Sequence, residues 1–161
     1  MMGGTGGWFS GRNRHGGFVC SEEDGKILFM SQLFKTGELW GIDACSIEKS
    51  KLKEFSRMDV PFFPSTFVEE VFASTLTNYL KFATDTLQLQ TPVRLVAGAT
   101  DVLGYCMAVD SEFRGSMVDQ HILYKASIDD LNTDPLVMLR PFFTHFWDEC
   151  GLDRPNMKIV R

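Results

Sequence analysis

Three apolar runs separated by very short turns decide most about the first third of this chain. FVCSE from Phe18, KILFMSQLF from Lys26 and ELWGIDACSI from Glu38 are parted only by Glu22-Glu23-Asp24-Gly25 and Lys35-Thr36-Gly37. Turns of that length carrying Asp-Gly and Thr-Gly join strands as hairpins, so the runs predict a three-stranded antiparallel meander. Along the middle run Ile27, Phe29, Ser31 and Leu33 point one way, and Leu28, Met30, Gln32 and Phe34 the other. Side chains alternate along a strand, so both faces of this sheet carry apolar groups. Such a sheet needs cover on both sides or takes part in an interface.

A charged connection from Lys49 to Arg57 leads to Pro61 and Pro64, which break any helix. Thr66-x-x-Glu69 then has the form of a capping box. Val68, Val71, Phe72, Leu76, Tyr79, Leu80, Ala83 and Leu87 follow as one stripe at three- and four-residue spacing, which predicts a helix over 67–87. Thr91-Pro92 ends it. A second set of strand-like runs, VRLVAG, VLGYCMAV and QHILYKASI, is joined by Ala99-Thr100-Asp101 and a longer loop through Arg114-Gly115. Asp134-Pro135 predicts a helix start, Gly151 its stop, and Pro141 a kink or a restart after Arg140. The predicted order is βββα-βββα. Its simplest packing is an α+β fold with one antiparallel sheet of about six strands and both helices on one face.

The first 17 residues contain seven glycines, two arginines and no acid. Glycine loses the most entropy on ordering, so 1–17 reads as a flexible arm, 18–156 as a single α+β domain and 157–161 as a tail. A length of 161 residues with 44% hydrophobic and 23% charged residues suits one globular domain. The net charge of -5 argues against a uniformly basic binder of nucleic acid or membrane surfaces. No apolar run approaches the roughly 18 residues of a membrane span, and the first residues have no apolar signal-peptide region. Cys20, Cys45, Cys106 and Cys150 lie far apart, without a CxxC pair, and read as reduced thiols of a cytoplasmic protein.

No constellation carries chemistry by its spacing. His15, His121 and His145 form no ligand motif, and neither metal nor cofactor is expected. Cys106 with His121 and Asp119 can be drawn as a thiol triad, but Cys106 lies between Tyr105 and Met107 in an apolar run, which favours an inert core thiol. The carboxylates Glu22-Glu23-Asp24, Glu69-Glu70 and Asp129-Asp130 with Asp134 sit in a turn or at helix starts, where negative charge is stabilising in itself. Asp43 with Glu48-Lys49 only faintly matches a nuclease arrangement. Neither the glycine arm nor Gly98 to Gly104 has the strand-to-helix context of a phosphate loop. The aromatic groups Phe62, Phe63, Phe67 and Phe72, and Phe142, Phe143, Phe146 and Trp147, fall at helical spacing and read first as core. Any that stay exposed mark a partner surface.

The blocks SQLFKTGELWGID, VPFFPSTFVEEVFASTLTNYLKF, PVRLVAGATDVLGYCMAVD and LRPFFTHFWDECGLDRPN stand in this order from about Gly17 to Asn156. In order and spacing the chain resembles the accessory region that follows the Schlafen/AlbA-like DNA-binding domain in a group of bacterial proteins. That domain itself is absent here, and with it the acidic-lysine segment that opens it. The resemblance therefore implies an accessory role beside a DNA-binding partner domain and transfers no catalytic residue.

Together these readings favour a non-catalytic sensor or protein-interaction domain that forms a homodimer. The alternative is a small-ligand-binding domain with an aromatic-lined pocket between sheet and helices. Candidate residues for the ligand or partner surface are Arg94, Tyr105, His121, Phe142 and Trp147. A metal-dependent hydrolase or nuclease would instead need carboxylates converging in one cleft. Direct nucleic-acid contact would need Arg12, Arg14, Lys49, Lys51, Lys53 and Arg57 in one stripe.

Overall fold

The computed structural model describes residues 7–23, 25–44, 60–109 and 112–155. The Lys49–Arg57 connection, Cys45 and the 157–161 tail lie outside the described residues. The fold is α+β, with nine strands in three sheets and two helices among the described residues. The chain divides into two compact units, Met1–Glu54 and Phe55–Arg161, where one domain was expected.

The N-terminal unit is a four-stranded antiparallel meander of β1 (Gly7–Asn13), β2 (Gly16–Glu23), β3 (Lys26–Phe34) and β4 (Leu39–Asp43), in that spatial order. The hairpins of β2, β3 and β4 are those the short turns predict. Gly25 and Gly37 supply the positive φ of the two turns, 78° and 89°. Most of the expected glycine arm is instead β1 and the start of β2. Two interactions outweigh its glycine content. Asn13 Oδ1 accepts the backbone N–H groups of His15 (2.8 Å) and Gly16 (3.0 Å), which closes the first hairpin. Trp8 stacks on Phe29 two strands away, with centroids 6.4 Å apart. Gly16 is required there, because a Cβ would strike the Leu33 carbonyl. A bulge lies between Ser21 and Glu22.

The register sorts this sheet into two unlike faces. Cys20 and Gln32 are buried and share one face with Phe9, Phe18, Met30, Phe34, Trp40 and Ile42, and Leu28, also buried, is the unpaired residue of the bulge. Phe34 and Trp40 touch on that face, with centroids 5.4 Å apart. The other face carries Trp8, Val19, Phe29, Leu33 and Leu39, none of them buried.

The C-terminal unit builds its own core. β5 (Phe62–Pro64) pairs in parallel with β7 (Cys106–Val109), which pairs antiparallel with β8 (Glu112–Arg114). β6 (Val93–Thr100) and β9 (His121–Ile128) form a separate antiparallel ribbon. The expected second meander is therefore not built, since β6 skips its neighbour in sequence. Asp101 and Gly104 take positive φ, and Val102 between them is fully buried. That turn sends the chain out of the ribbon to β5 instead of back along β6.

Helix α1 spans Ser65–Asp85 and α2 spans Pro135–Asp148. The first begins and ends about one half-turn before its predicted range. Its N-cap is Pro64, which has no capping side chain, so the expected capping box is not what starts it. The second starts as its sequence predicts: Asp134 Oδ1 accepts the N–H of Leu136 (2.9 Å), and Pro135 opens the helix. It also ends as predicted, with Gly151 at φ 68° and N–H groups of Gly151 and Leu152 donating to the carbonyls of Asp148 and Trp147. It runs on through Pro141 without a restart. The carbonyl that Pro141 leaves unpaired belongs to Val137, an exposed residue that water reaches. Phe63 packs edge-on against Phe146 (4.7 Å) and beside Tyr105 (4.9 Å), while Phe72 meets Phe142 (4.9 Å) and ties α1 to α2. Tyr124 of β9 donates from its hydroxyl to the Met138 carbonyl (3.3 Å), which fixes the ribbon to α2.

Candidate functional site

The five surface candidates separate into two groups. Tyr105, Phe142 and Trp147 are core side chains, each at most 4% exposed. Their helical or strand spacing marked the packed face, and packing absorbed all three. The Tyr105 hydroxyl is held above its ordinary pKa, first by burial and then by the nearby charge of Asp101. Arg94 and His121 are exposed on the outer face of the β6–β9 ribbon. They are not brought together, because Arg94 pairs with Ser127 and His121 with Thr100, at opposite ends of the ribbon.

The thiol triad is not assembled by strand pairing: Cys106 lies in the β5–β7–β8 sheet and His121 in the ribbon. The thiol of Cys150 is pushed up to about 11, first by burial, then by the neighbouring Cys106 and Glu149. Asp130 Oδ1 is occupied by the backbone and side-chain N–H groups of Asn132, and Asp134 caps α2. Among the described residues no group of three or more His, Cys, Asp or Glu side chains is arranged to hold a metal ion.

Spacing alone did not single out the best-defined polar cluster. Glu69 is only 2% exposed. Its carboxylate accepts from Trp147 Nε1 (3.1 Å) and from Arg154 Nε (2.9 Å) on one oxygen, and from Arg154 Nη2 (2.7 Å) on the other. The guanidinium of Arg154 also lies over the Phe143 ring, 5.6 Å from its centroid. The hydrogen bond to Glu69 holds the Arg154 pKa above its ordinary value, against the opposing effect of burial. Three donors on two oxygens tie the segment after α2 to α1. A carboxylate so occupied is a structural anchor and has little capacity for acid-base work. The available signal was periodicity: Glu69 stands three residues before Phe72 and seven before Leu76, on the line of the apolar stripe.

A groove of about 830 Å³ runs between α1 and the turn before α2. No aromatic side chain lines it, unlike the pocket expected between sheet and helices. Three of its hydroxyls are already engaged: Ser74, Thr77 and Thr84 donate back to carbonyls of α1 at 2.8–3.1 Å.

The remaining candidate is the meander of the N-terminal unit. Six of its large apolar side chains, Trp8, Phe9, Val19, Ile27, Trp40 and Ile42, are exposed. Trp8 at 71% is the extreme among them. Isolated exposed apolar residues need no explanation, but this one sheet carries six of the twelve large apolar residues that are exposed among the described residues. Arg12 and Arg14 are exposed at one end of β1 and in the following turn, while Lys49, Lys51, Lys53 and Arg57 lie outside the described residues. Comparison with protein-family models, curated proteins and solved structures finds no match to this chain. No described helix is long and apolar enough to cross a membrane.

Proposed function

We propose that this chain is a non-catalytic protein-interaction domain that associates through its N-terminal sheet. The observation that carries this reading is the face with Trp8, Val19, Phe29, Leu33 and Leu39, none of which is buried. Apolar area left in water is stabilised by association at roughly 25 cal/mol per Å² covered. The occupied Glu69 carboxylate, the separation of Cys106 from His121 and the packing of Tyr105, Phe142 and Trp147 all favour binding over catalysis. They also weaken the small-ligand alternative, whose aromatic lining is spent in the core.

The similarity of the four sequence blocks to the Schlafen/AlbA-associated region supports an accessory role beside a DNA-binding or regulatory partner. Unpaired Cys20, Cys106 and Cys150 fit a reducing compartment such as the cytoplasm. Native mass spectrometry of the purified chain tests the reading. A protein–protein species that dissociates on dilution is the expected result. A monomer that carries a constant small-molecule mass, and never a second protein, would overturn it in favour of the ligand-binding alternative.

A further inference from the structure

We infer that the free edge of β6 takes an extended segment of a partner protein as the third strand of the β6–β9 ribbon. This surface belongs to the C-terminal unit and goes beyond the reading given for the N-terminal sheet. β6 and β9 pair only with each other, so each presents one unpaired edge eight residues long. Gly98 shows which backbone groups lie along the edge of β6. A Cβ on Gly98 would strike the Ile122 carbonyl oxygen, so that oxygen points at β6. The register then makes Ala99–Ile122, Ala97–Tyr124 and Leu95–Ala126 hydrogen-bonded pairs. The N–H and C=O groups of Arg94, Val96, Gly98 and Thr100 alternate with these and point away from β9. Among the described residues none of them bonds to another backbone group. A row of donors and acceptors repeating about every 6.8 Å matches one ligand chemistry, another extended backbone.

The edge of β9 suits such a segment less well. β9 is tied to α2 through Tyr124, and Lys125 stands in its middle, where a charge hinders edge pairing. The middle of β6 is Val96-Ala97-Gly98. The remaining strands of the unit have at most four residues.

Side chains beside the β6 edge define the segment. The outer face of the ribbon holds no acidic residue, and every residue on it is exposed. Arg94 and Lys125 are diagonal neighbours there, about 7–8 Å apart. Neither has an ion-pair partner among the described residues. A carboxylate opposite Arg94 supplies the missing charge. Val96, 50% exposed, takes a β-branched residue opposite it. The Leu123 side chain leans over Gly98 and is 57% exposed, so a large ring opposite Gly98 covers it. Antiparallel pairing is the more stable per residue. From its N-terminus the segment therefore reads aromatic, β-branched and acidic at alternate positions. Apolar residues stand between them, on the side of the half-buried Leu95.

Fluorescence anisotropy of the labelled peptide Thr-Phe-Ile-Val-Ile-Glu-Thr, titrated with the full chain, is the deciding experiment. Micromolar binding is expected. N-methylation of the peptide's Val removes one backbone donor and should raise Kd about tenfold. Val96→Pro removes an outward N–H and no bond to β9, and should do the same. Arg94→Glu should weaken binding about threefold, and Lys in place of the peptide's Glu should restore it. Val19→Glu on the N-terminal sheet should leave Kd unchanged. Circular dichroism checks every variant, and the N-methylated peptide decides the matter even if Val96→Pro fails to fold. A peptide that does not bind, or binds equally well when N-methylated, overturns the third strand. Tighter binding of the peptide with Phe and Glu exchanged overturns the antiparallel order. Binding lost with Val19→Glu and kept with Val96→Pro overturns the site and leaves the interaction reading standing. Labelled oligothymidylate that binds in the peptide's stead, and is lost with Arg94→Glu but not Val96→Pro, makes the occupant a polyanion. Self-association in sedimentation velocity that Val96→Pro abolishes makes it a second copy, and either result overturns the partner segment.

Discussion

Replacing Arg154 by methionine isolates the energetics of the buried cluster in the C-terminal unit. Methionine keeps an apolar stem near Phe143 and removes the guanidinium. Glu69, whose side chain is 3% exposed, would lose two charge-assisted hydrogen bonds of 2.9 and 2.7 Å and keep only the indole N–H of Trp147. Removing one partner of a buried ion pair costs about 3–5 kcal/mol, because the other charge is left uncompensated. The Arg154 side chain is 17% exposed, so some water reaches the vacated site. The lower end, about 3 kcal/mol, is the expected loss. Urea unfolding followed by Trp147 fluorescence, in a Trp8→Phe/Trp40→Phe background, measures it directly. With a slope of about 1.5 kcal/mol per M, the midpoint should fall by about 2 M. The double variant Glu69→Leu/Arg154→Met should recover most of the loss, since an apolar pair carries no stranded charge. It should remain about 1 kcal/mol short, because the Trp147 N–H loses its acceptor. A loss below about 0.5 kcal/mol for Arg154→Met, with no coupling between the two sites, would match an exposed pair and refute the anchoring role.

Phe142→Ala, at a fully buried position among Phe72, Phe143 and Phe146, should destabilise the C-terminal unit by about 3–5 kcal/mol in the same assay. Gly115→Ala should cost on the order of 2 kcal/mol, since Gly115 has φ 61° and a Cβ there would run into the Cys150 carbonyl. The Cys150 thiol is raised in the folded state from an ordinary 9.0 to about 11, so folding favours its protonated form. Its contribution is fully present below pH 9 and is lost as pH rises through about 11. Unfolding free energies measured from pH 8 to 11 should therefore fall, and Cys150→Ala should flatten the fall.

How far the sequence could be read depended on whether local signals agreed with one another. At α2 they did: Asp134 caps, Pro135 opens, Gly151 closes, and the apolar face over Leu139, Phe142, Phe143 and Phe146 is the buried face. At β1 they conflicted. Seven glycines in 17 residues outweighed the alternation of Trp8, Ser10 and Arg12 on one side with Phe9, Gly11 and Asn13 on the other. The stacking of Trp8 on Phe29 is a contact across two strands, and no local window contains it. The second meander failed for a related reason. VRLVAG and VLGYCMAV are adjacent strand-like runs, and adjacency predicts pairing. The left-handed backbone at Asp101 and Gly104, with Val102 fixed in the core, sends the chain elsewhere.

The surface candidates named from the sequence met different fates in the structure, and the two units explain the difference. In the C-terminal unit two helices and five strands cover one another, so aromatic residues such as Tyr105, Phe142 and Trp147 find partners within the unit and leave the surface. In the N-terminal unit the described residues form one layer. A single sheet cannot enclose a core, because a stable architecture needs at least two layers. On the proposed interaction reading, the apolar residues that alternate along β3 are covered from outside the sheet. That conclusion follows from the alternation of Ile27 to Phe34 alone and does not depend on likeness to any family. What the alternation could not supply was the choice of face. That choice required the register, which places the buried Cys20 and Gln32 on one side and Trp8, Val19, Phe29 and Leu33 on the other.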